Sequence, residues 1–541
     1  MAERRLSGLE EPEQRGADHA IERAPTAVTA FVGRTLKGPV NRPVVVASFA
    51  QFQQIFGGLW QPSTLSYAVE HFFENGGRTA VIVRVVNGAR PPTLTLPAGE
   101  GVLRLVAVNP GSREYLRASV DYDGIGEEER DRFNLVLQRV RSAGSELVED
   151  QEIFRRLSIT PGSDRCVEDV LLASSLARVV GPLPAQRPDR SVREPGGPAV
   201  GYVNSHCDGD DGAPLTDYDI IGSATEGTGL FALQSGPPFN FLCIPPLTRD
   251  QDVGLSTLLV AARFCRDRQA LLMVDPPASW ESAQQALEEL RTWPFRSENA
   301  VMYFPRVMAF DRLRGRMEVF APCGAAAGML ARADETHPVW AAGTEEPILR
   351  RGYRPTVTVS DVERIRLAQA GVNTLTAVRS GARPVVAPCT LAAGSSAAAD
   401  WKYLSARRLA LFVTSSIVQG TRWMLLQQNG PATWASAQAQ VEAFLELLDQ
   451  QGAFARGESG ESYFVICDER VNTPQSIAEG KIRLLFGIAI SRASDFQAWM
   501  VTHQAGASRV RPVSPNRLAT SQRRLEWEIE TSILRGSAVI T

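Results

Sequence analysis

The sequence predicts an α/β protein of mixed α+β character, divided into several domains. Three observations carry that expectation. The chain has 541 residues, too many for one ordinary core, and its 44% hydrophobic and 22% charged content is that of a globular protein. From Phe241 onward, short apolar runs alternate with helical periodicity in a βαβαβ rhythm. Before that, the Pro-rich joint Arg90-Pro91-Pro92 and the Pro-, Arg- and Gly-dense run Gly181–Pro198 bracket a stretch of strand-like pieces that reads as a mainly β insertion.

The elements follow in order. Residues 1–22 are polar and without apolar periodicity, which reads as a mobile arm. Val28–Val32 and Pro43–Val46 have strand composition. Leu65, Ala68, Val69, Phe72 and Phe73 then mark a helix capped by Ser63 or Thr64 and ended by Asn75-Gly76-Gly77, and Thr79–Val86 is the next strand. In the insertion, Leu103–Val108, Leu116–Tyr122 and Phe133–Gln138 are strands. The central rhythm is Phe241–Ile244, a helix over Leu255–Asp267, Leu271–Val274, a helix over Trp280–Thr292, and Ala300–Phe304. Ser360 and Glu363 form a capping box opening a helix that ends near Gly371. The last region carries two further helices and the strands Tyr463–Cys467 and Leu484–Ile490. In it, Val441, Phe444, Leu445 and Leu448 form an apolar stripe that must pack on another element. The boundaries are 1–23, 24–89, 90–200, 201–358, 359–505 and 506–541.

Several function classes lose support on chemistry. A formal charge of −3 offers no basic stripe for nucleic acid. No secretory apolar stretch and no run of about 18 apolar residues is present, so a cytosolic, non-membrane chain is expected. Seven singly scattered cysteines argue for reduced, buried thiols over a disulfide framework or zinc knuckle. Ligands of βαβ sheets bind beyond the strands' carboxyl ends, but there the chain runs into Ile244-Pro245-Pro246, Asp275-Pro276-Pro277 and Phe304-Pro305. Proline has no N–H to offer a phosphate, and neither a dinucleotide nor a P-loop fingerprint occurs.

The loop Ser205-His206-Cys207-Asp208-Gly209-Asp210-Asp211-Gly212 gathers metal-type ligands. Its fifth calcium position is Gly212 and its twelfth Asp219, so a solvated turn is the better reading. The five histidines (His19, His71, His206, His337, His503) lie in unrelated contexts, with no Gly-x-Ser-x-Gly elbow. Glu288 and Glu289 sit on an ordinary solvated helix face. Neither catalytic residues, nor a metal, nor a cofactor is expected.

Three stretches together resemble the contractile tail-sheath family of phages and related injection particles. They are APTAVTAFVGRTLKGPVNRPVVVASFAQFQQIFGG with YAVEHFFENGGRTAVIVRVVNG; FNFLCIPP, AVMYFPRV and GAAAGMLARADETHPVWAAGTEE; and WKYLSARRLALFVTSSIVQGTRWMLLQQNGPATW with VEAFLELLDQQGAF, YFVICDERVNT and GKIRLLFGIAISRASDFQAWM. They cover most of residues 24–504 in the family's order. The phrases around Ala387–Leu391 and Ile490–Ala493 depart from the family's wording, and Ala507–Thr541 runs past its usual end.

The resemblance implies a structural subunit and no enzyme. Residues 24–89 and 359–505 would form one inner α/β domain, with 90–200 and 201–358 inserted outward. The partners would be copies of itself in six-fold rings forming a helical sheath, an inner tube protein, and baseplate and terminator proteins. Nucleic acid and direct membrane insertion are not expected. Assembly would take place in the bacterial cytoplasm, in a phage tail or phage-tail-like particle. A nucleotide-dependent enzyme on the βαβαβ unit and a sheath-like baseplate or terminator component are the alternatives.

Both ends are expected to act as linking arms that add strands to a neighbour. Glu22, Ala24, Thr26 and Val28 stand at one end, and Leu525, Trp527, Ile529 and Val539 at the other, where Leu525–Thr531 alternates apolar with acidic. A helix through Leu525, Ile529 and Ile533 also fits that segment. The cluster Lys402, Arg407 and Arg408 is expected to face the tube or a neighbouring subunit, the other reading being solvated or internally paired charge.

Overall fold

The computed structural model describes residues 20–192, 201–341, 348–376, 386–394, 400–456, 461–492, 495–505 and 507–513. The chain divides into two compact units: Ala27–Thr336 with Glu345–Val386, and Met1–Thr26 with His337–Thr344 and Ala387–Thr541.

The larger unit opens with β1 (Thr29–Gly33), β2 (Val44–Val46), α1 (Phe49–Phe56), α2 (Thr64–Asn75) and β3 (Ala80–Arg84). Ser63 caps α2 by accepting a hydrogen bond from the Ser66 N–H, and Gly76 ends it in the left-handed region at φ 114°. Helix α1 is an addition to the sequence reading. Its apolar stripe of Phe49, Phe52 and Phe56 spans only two turns, and the three rings stack on one another.

The insertion follows as β4 (Thr93–Ala98), β5 (Gly101–Ala107), β6 (Tyr115–Asp121), β7 (Arg132–Val140), β8 (Val148–Ser158), α3 (Val167–Leu171), β9 (Ala177–Val179) and β10 (Val203–Asn204). Two antiparallel sheets, in orders β4-β5-β9 and β10-β6-β7-β8, close over Leu94, Leu105, Phe133, Leu135 and Leu157. Because β10 pairs with β6 and Arg90 bridges to Asp210, the insertion's hydrogen bonding runs past residue 200.

Next come α4 (Asp217–Ile221), β11 (Phe241–Cys243), α5 (Leu255–Arg268), β12 (Leu271–Val274), α6 (Ala283–Glu289) and β13 (Ala300–Phe304). After them stand β14 (Val307–Asp311), β15 (Arg316–Phe320), α7 (Cys323–Asp334), β16 (Arg354–Pro355), α8 (Asp361–Gln369) and β17 (Asn373–Thr374). The capping box of Ser360 and Glu363 forms as its spacing requires. One seven-stranded sheet, in the order β17-β13-β12-β11-β1-β3-β2, is parallel except for β2. Its five inner strands are buried end to end, which is why they read as continuous apolar runs.

That sheet changes the expected pairing of segments. Thr29 is in register with Ala80 on one side and Phe241 on the other, so residues 27–88 share a sheet with the central stretch, and of the expected partner 359–505 only the short β17 joins it, at the far edge. The physical reason is that a parallel sheet buried on both faces needs apolar strands on both sides of β1, and Phe241–Cys243 supplies them. Residues 20–26 lie with the C-terminal unit.

That unit contains α9 (Leu404–Gly420), α10 (Pro431–Gln450), β18 (Tyr463–Ile466), α11 (Pro474–Ala478), β19 (Ile482–Ala489), β20 (Phe496–Gln504) and β21 (Ala507–Val513). The antiparallel sheet β18-β19-β20-β21 packs one face on α9 and α10 through Val413, Ile417, Val441, Phe444, Leu445, Leu484, Phe486 and Val501. Leu404–Leu426 is long and apolar enough to match a membrane span by composition; its main part, α9, packs its apolar side chains into the core of this unit.

Candidate assembly surfaces

The loops beyond the parallel strands leave little room for a ligand. Ile244, Pro246, Asp275, Pro277 and Trp293 wall a crevice of only about 40 Å³, against several hundred for a typical ligand site. Asp275 turns inward and accepts from the Cys323 N–H at 2.7 Å, capping α7. Burial pushes its carboxyl up to about 6 and raises the thiols of Cys243 and Cys323.

The acidic loop 205–212 staples the insertion together. Asp208 accepts from the Thr93 N–H and hydroxyl, and Asp211 from those of Ser112. His71 is buried between Phe320 and Tyr353, and burial drives it down to about 3. His503, likewise lowered by burial to about 4, lies between Thr421 and Ser508. Among the described residues, no group of three His, Cys, Asp or Glu side chains is placed to hold a metal.

The basic cluster is a correction. Arg407 and Arg408 are 6% and 9% exposed. The Arg407 guanidinium lies 4.8 Å from the centre of the Trp401 ring, and Arg408 donates to the Thr26 carbonyl at 3.3 Å. Helix α9 is covered on nearly every side, so cations on it have no surface to occupy. Lys402, half-buried, lies over Tyr403.

The N-terminal arm also differs from its expected posture. Ala24 is buried and its N–H donates to the Ser416 hydroxyl at 3.0 Å, while Ile21 packs beside Gly420 on the same helix. Glu22 is exposed. Val28 edges the parallel sheet, its N–H bonded to Asn240 Oδ1. Ala24 and Thr26 are therefore tied to their own chain, not presented to a neighbour. Leu525, Trp527, Ile529 and Val539 lie outside the described residues. Among the described residues the sheet of the C-terminal unit ends at β21, on which Arg509 and Arg511 are exposed.

One charged cluster had no signal in the sequence, because its members are far apart in the chain. The Arg312 guanidinium stands between Glu70 and Glu74 of α2, and Tyr353 donates to Glu74. Asp311, on the same hairpin, accepts from Tyr67 and Arg249. Burial, with Glu74 nearby, pushes Glu70 up to about 7.

No family profile and no curated protein matches this chain. Solved structures do. A sheath tail protein from Listeria innocua superposes with a TM-score of 0.59 at 12% identity, over 91% of this chain and 97% of that one. The PVC sheath complex of an extracellular contractile injection system, in its contracted state, gives 0.51 at 14% identity, over 91% of this chain and 96% of that one. At such identities the likeness is one of fold, and on it this chain has the α/β multidomain fold of contractile tail-sheath proteins.

Proposed function

We propose that this chain is a sheath subunit that polymerises with copies of itself around an inner tube and contracts to drive that tube through a target envelope. The observation that carries the reading is the superposition over 91% of the chain on a sheath tail protein of which 97% is covered. An accidental shared domain would leave one of the two chains largely unmatched. The subunit is non-enzymatic in this reading. Its work comes from interfaces that gain area when the lattice rearranges, with no nucleotide consumed in firing. It is assembled in the bacterial cytoplasm, as six-fold rings stacked on a baseplate and closed by a terminator, and it belongs to a phage tail or phage-tail-like particle.

The two chain ends serve as linking arms that add strands to a neighbour's sheet edge, where main-chain hydrogen bonds persist while rigid bodies rotate. Ile21 and Ala24 are themselves anchored on α9 of their own chain. Electron microscopy of purified protein, alone and with the inner tube, tests the whole reading. Long striated cylinders are expected. Rings that never elongate would favour a baseplate or terminator component, and monodisperse monomer under all conditions would refute the sheath reading.

A further inference from the structure

The C-terminal unit holds a buried histidine whose hydrogen bonds can be followed proton by proton. His503 of β20 is fully buried, and its ring nitrogens meet two hydroxyls. Nε2 lies 2.8 Å from Thr421 Oγ1, and Nδ1 lies 2.8 Å from Ser508 Oγ. The Thr421 hydroxyl donates its single proton to the Ile417 carbonyl at 2.6 Å. Toward His503 it can therefore only accept, which places the ring proton on Nε2 and leaves Nδ1 bare. The Ser508 hydroxyl must then donate to Nδ1. The result is a directed chain from β21 through the imidazole to the end of α9. A second ring proton turns Nδ1 into a donor, so the Ser508 hydroxyl has to reverse, and it buries a positive charge.

Little else holds β21 down. It runs antiparallel to β20 with Ser508 directly opposite His503. None of its seven residues is buried, whereas most of β20 is. Val510 reaches the core only in part, and Pro512, opposite Trp499, has no N–H for the ladder. A strand with so few buried contacts opens at low free-energy cost, so a buried polar tie carries a large share of its attachment.

The surroundings make that tie sensitive to acid. Ile482 of β19 and Ser508 of β21 flank His503 in register, and the adjacent Arg483 and Arg509 alternate to the opposite face of the sheet. Glu479 and Lys481, before β19, are paired with each other. Arg422, just past α9, is the charge that bears on the ring, and it opposes a second positive charge. Burial, with Arg422 nearby, holds His503 down at about 4. An opening that returns the ring to water takes up a proton more readily. Attachment is therefore full above about 6.5, the ordinary histidine value, and is lost as the pH falls toward 4.

We propose that His503 is an acid-released pin, its neutral imidazole fastening β21 to the body of the C-terminal unit and its protonation freeing the strand from Ala507 onward. Residues 514–541, read above as a linking arm, follow directly on β21, so release lengthens that arm by a strand. The pin is a property of the unit and holds whether or not the arm links subunits.

Hydrogen exchange of the unassembled full-length protein between pH 7 and 4, with each rate corrected for the intrinsic rate at that pH, reads the opening directly. Protection over residues 507–513 is expected to fall on the order of 100-fold across that range, while residues 441–448 of α10 keep theirs. His503→Gln retains a donor but does not titrate, and its β21 protection should be the same at both ends of the range. In Arg422→Gln the acid loss should shrink, because the ring then protonates more easily in place. Equal acid loss in the parent and in His503→Gln overturns the pin. So does a loss shared in full by α10, which would make His503 a guard of the whole unit. If the variants do not fold, the parent decides: flat protection over residues 507–513 from pH 7 to 4 overturns the proposal, and a loss confined to that strand supports it.

Discussion

Replacing Gly324 with Ala should destabilise the larger unit, although helix propensity alone predicts the reverse. Alanine is better than glycine in a helix interior by about 1 kcal/mol. Yet a Cβ built on Gly324 of α7 would lie 2.0 Å from the Ala68 carbonyl oxygen of α2, and one on Gly328 would lie 2.3 Å from that of Phe72. Even close C–H···O contacts keep carbon and oxygen about 3.3 Å apart, so the two helices must part by more than an ångström. Neither can move freely, because α2 packs Phe72 on Phe31 of the sheet and α7 is buried from Cys323 to Ala331. Overpacking of this kind costs about 1–3 kcal/mol and more when backbone is the obstacle. After the propensity gain, a net loss of about 2 kcal/mol is expected. With an unfolding entropy of about 2.1 cal/mol/K per residue, a unit of this size loses about 1–2 °C per kcal/mol, so the Tm falls by roughly 2–4 °C. Differential scanning calorimetry of Gly324→Ala and Gly328→Ala reads it directly, with the heat of each unit's transition followed separately. A Gly324→Ala protein as stable as the parent, or more so, would refute the close helix contact.

Other consequences follow from the same geometry. Phe444→Ala empties part of the C-terminal core between α9 and α10 and should cost about 3–5 kcal/mol in urea unfolding; an unchanged midpoint would contradict its burial. Glu70 holds its proton more tightly folded, at about 7, than unfolded. The folded state is therefore favoured at acid pH, and stability falls as pH rises from about 4.5 to 7. Glu70→Gln should flatten that slope, an effect on the order of 1 kcal/mol given the exposed Arg312 beside it. A slope that survives the substitution would place its origin elsewhere. Arg408→Glu should lower the Tm of unassembled protein and so act on folding, whereas a normal Tm with salt-sensitive tube docking would restore a surface role. Removing residues 514–541 should leave a folded, soluble subunit that forms no long cylinders, and full-length cylinders from it would remove the linking role of that end.

Much of the architecture was legible residue by residue. The central strands and helices, the Ser360 capping box and the stripe through Phe444 each depend on signals local in the chain: period, cap chemistry and apolar content. The same holds for the loops beyond the parallel strands, where proline removes the donors a phosphate would need. What the sequence left undecided depends on which elements meet. That β1 pairs with β11, that α9 is covered on nearly all sides and so turns Arg407 and Arg408 inward, and that Glu70, Arg312 and Tyr353 converge are contacts between residues tens to hundreds of positions apart. Local patterning states that a face is apolar or charged; only the packed structure decides what covers it, because that is settled by the complementarity of whole surfaces and not by the periodicity of one segment.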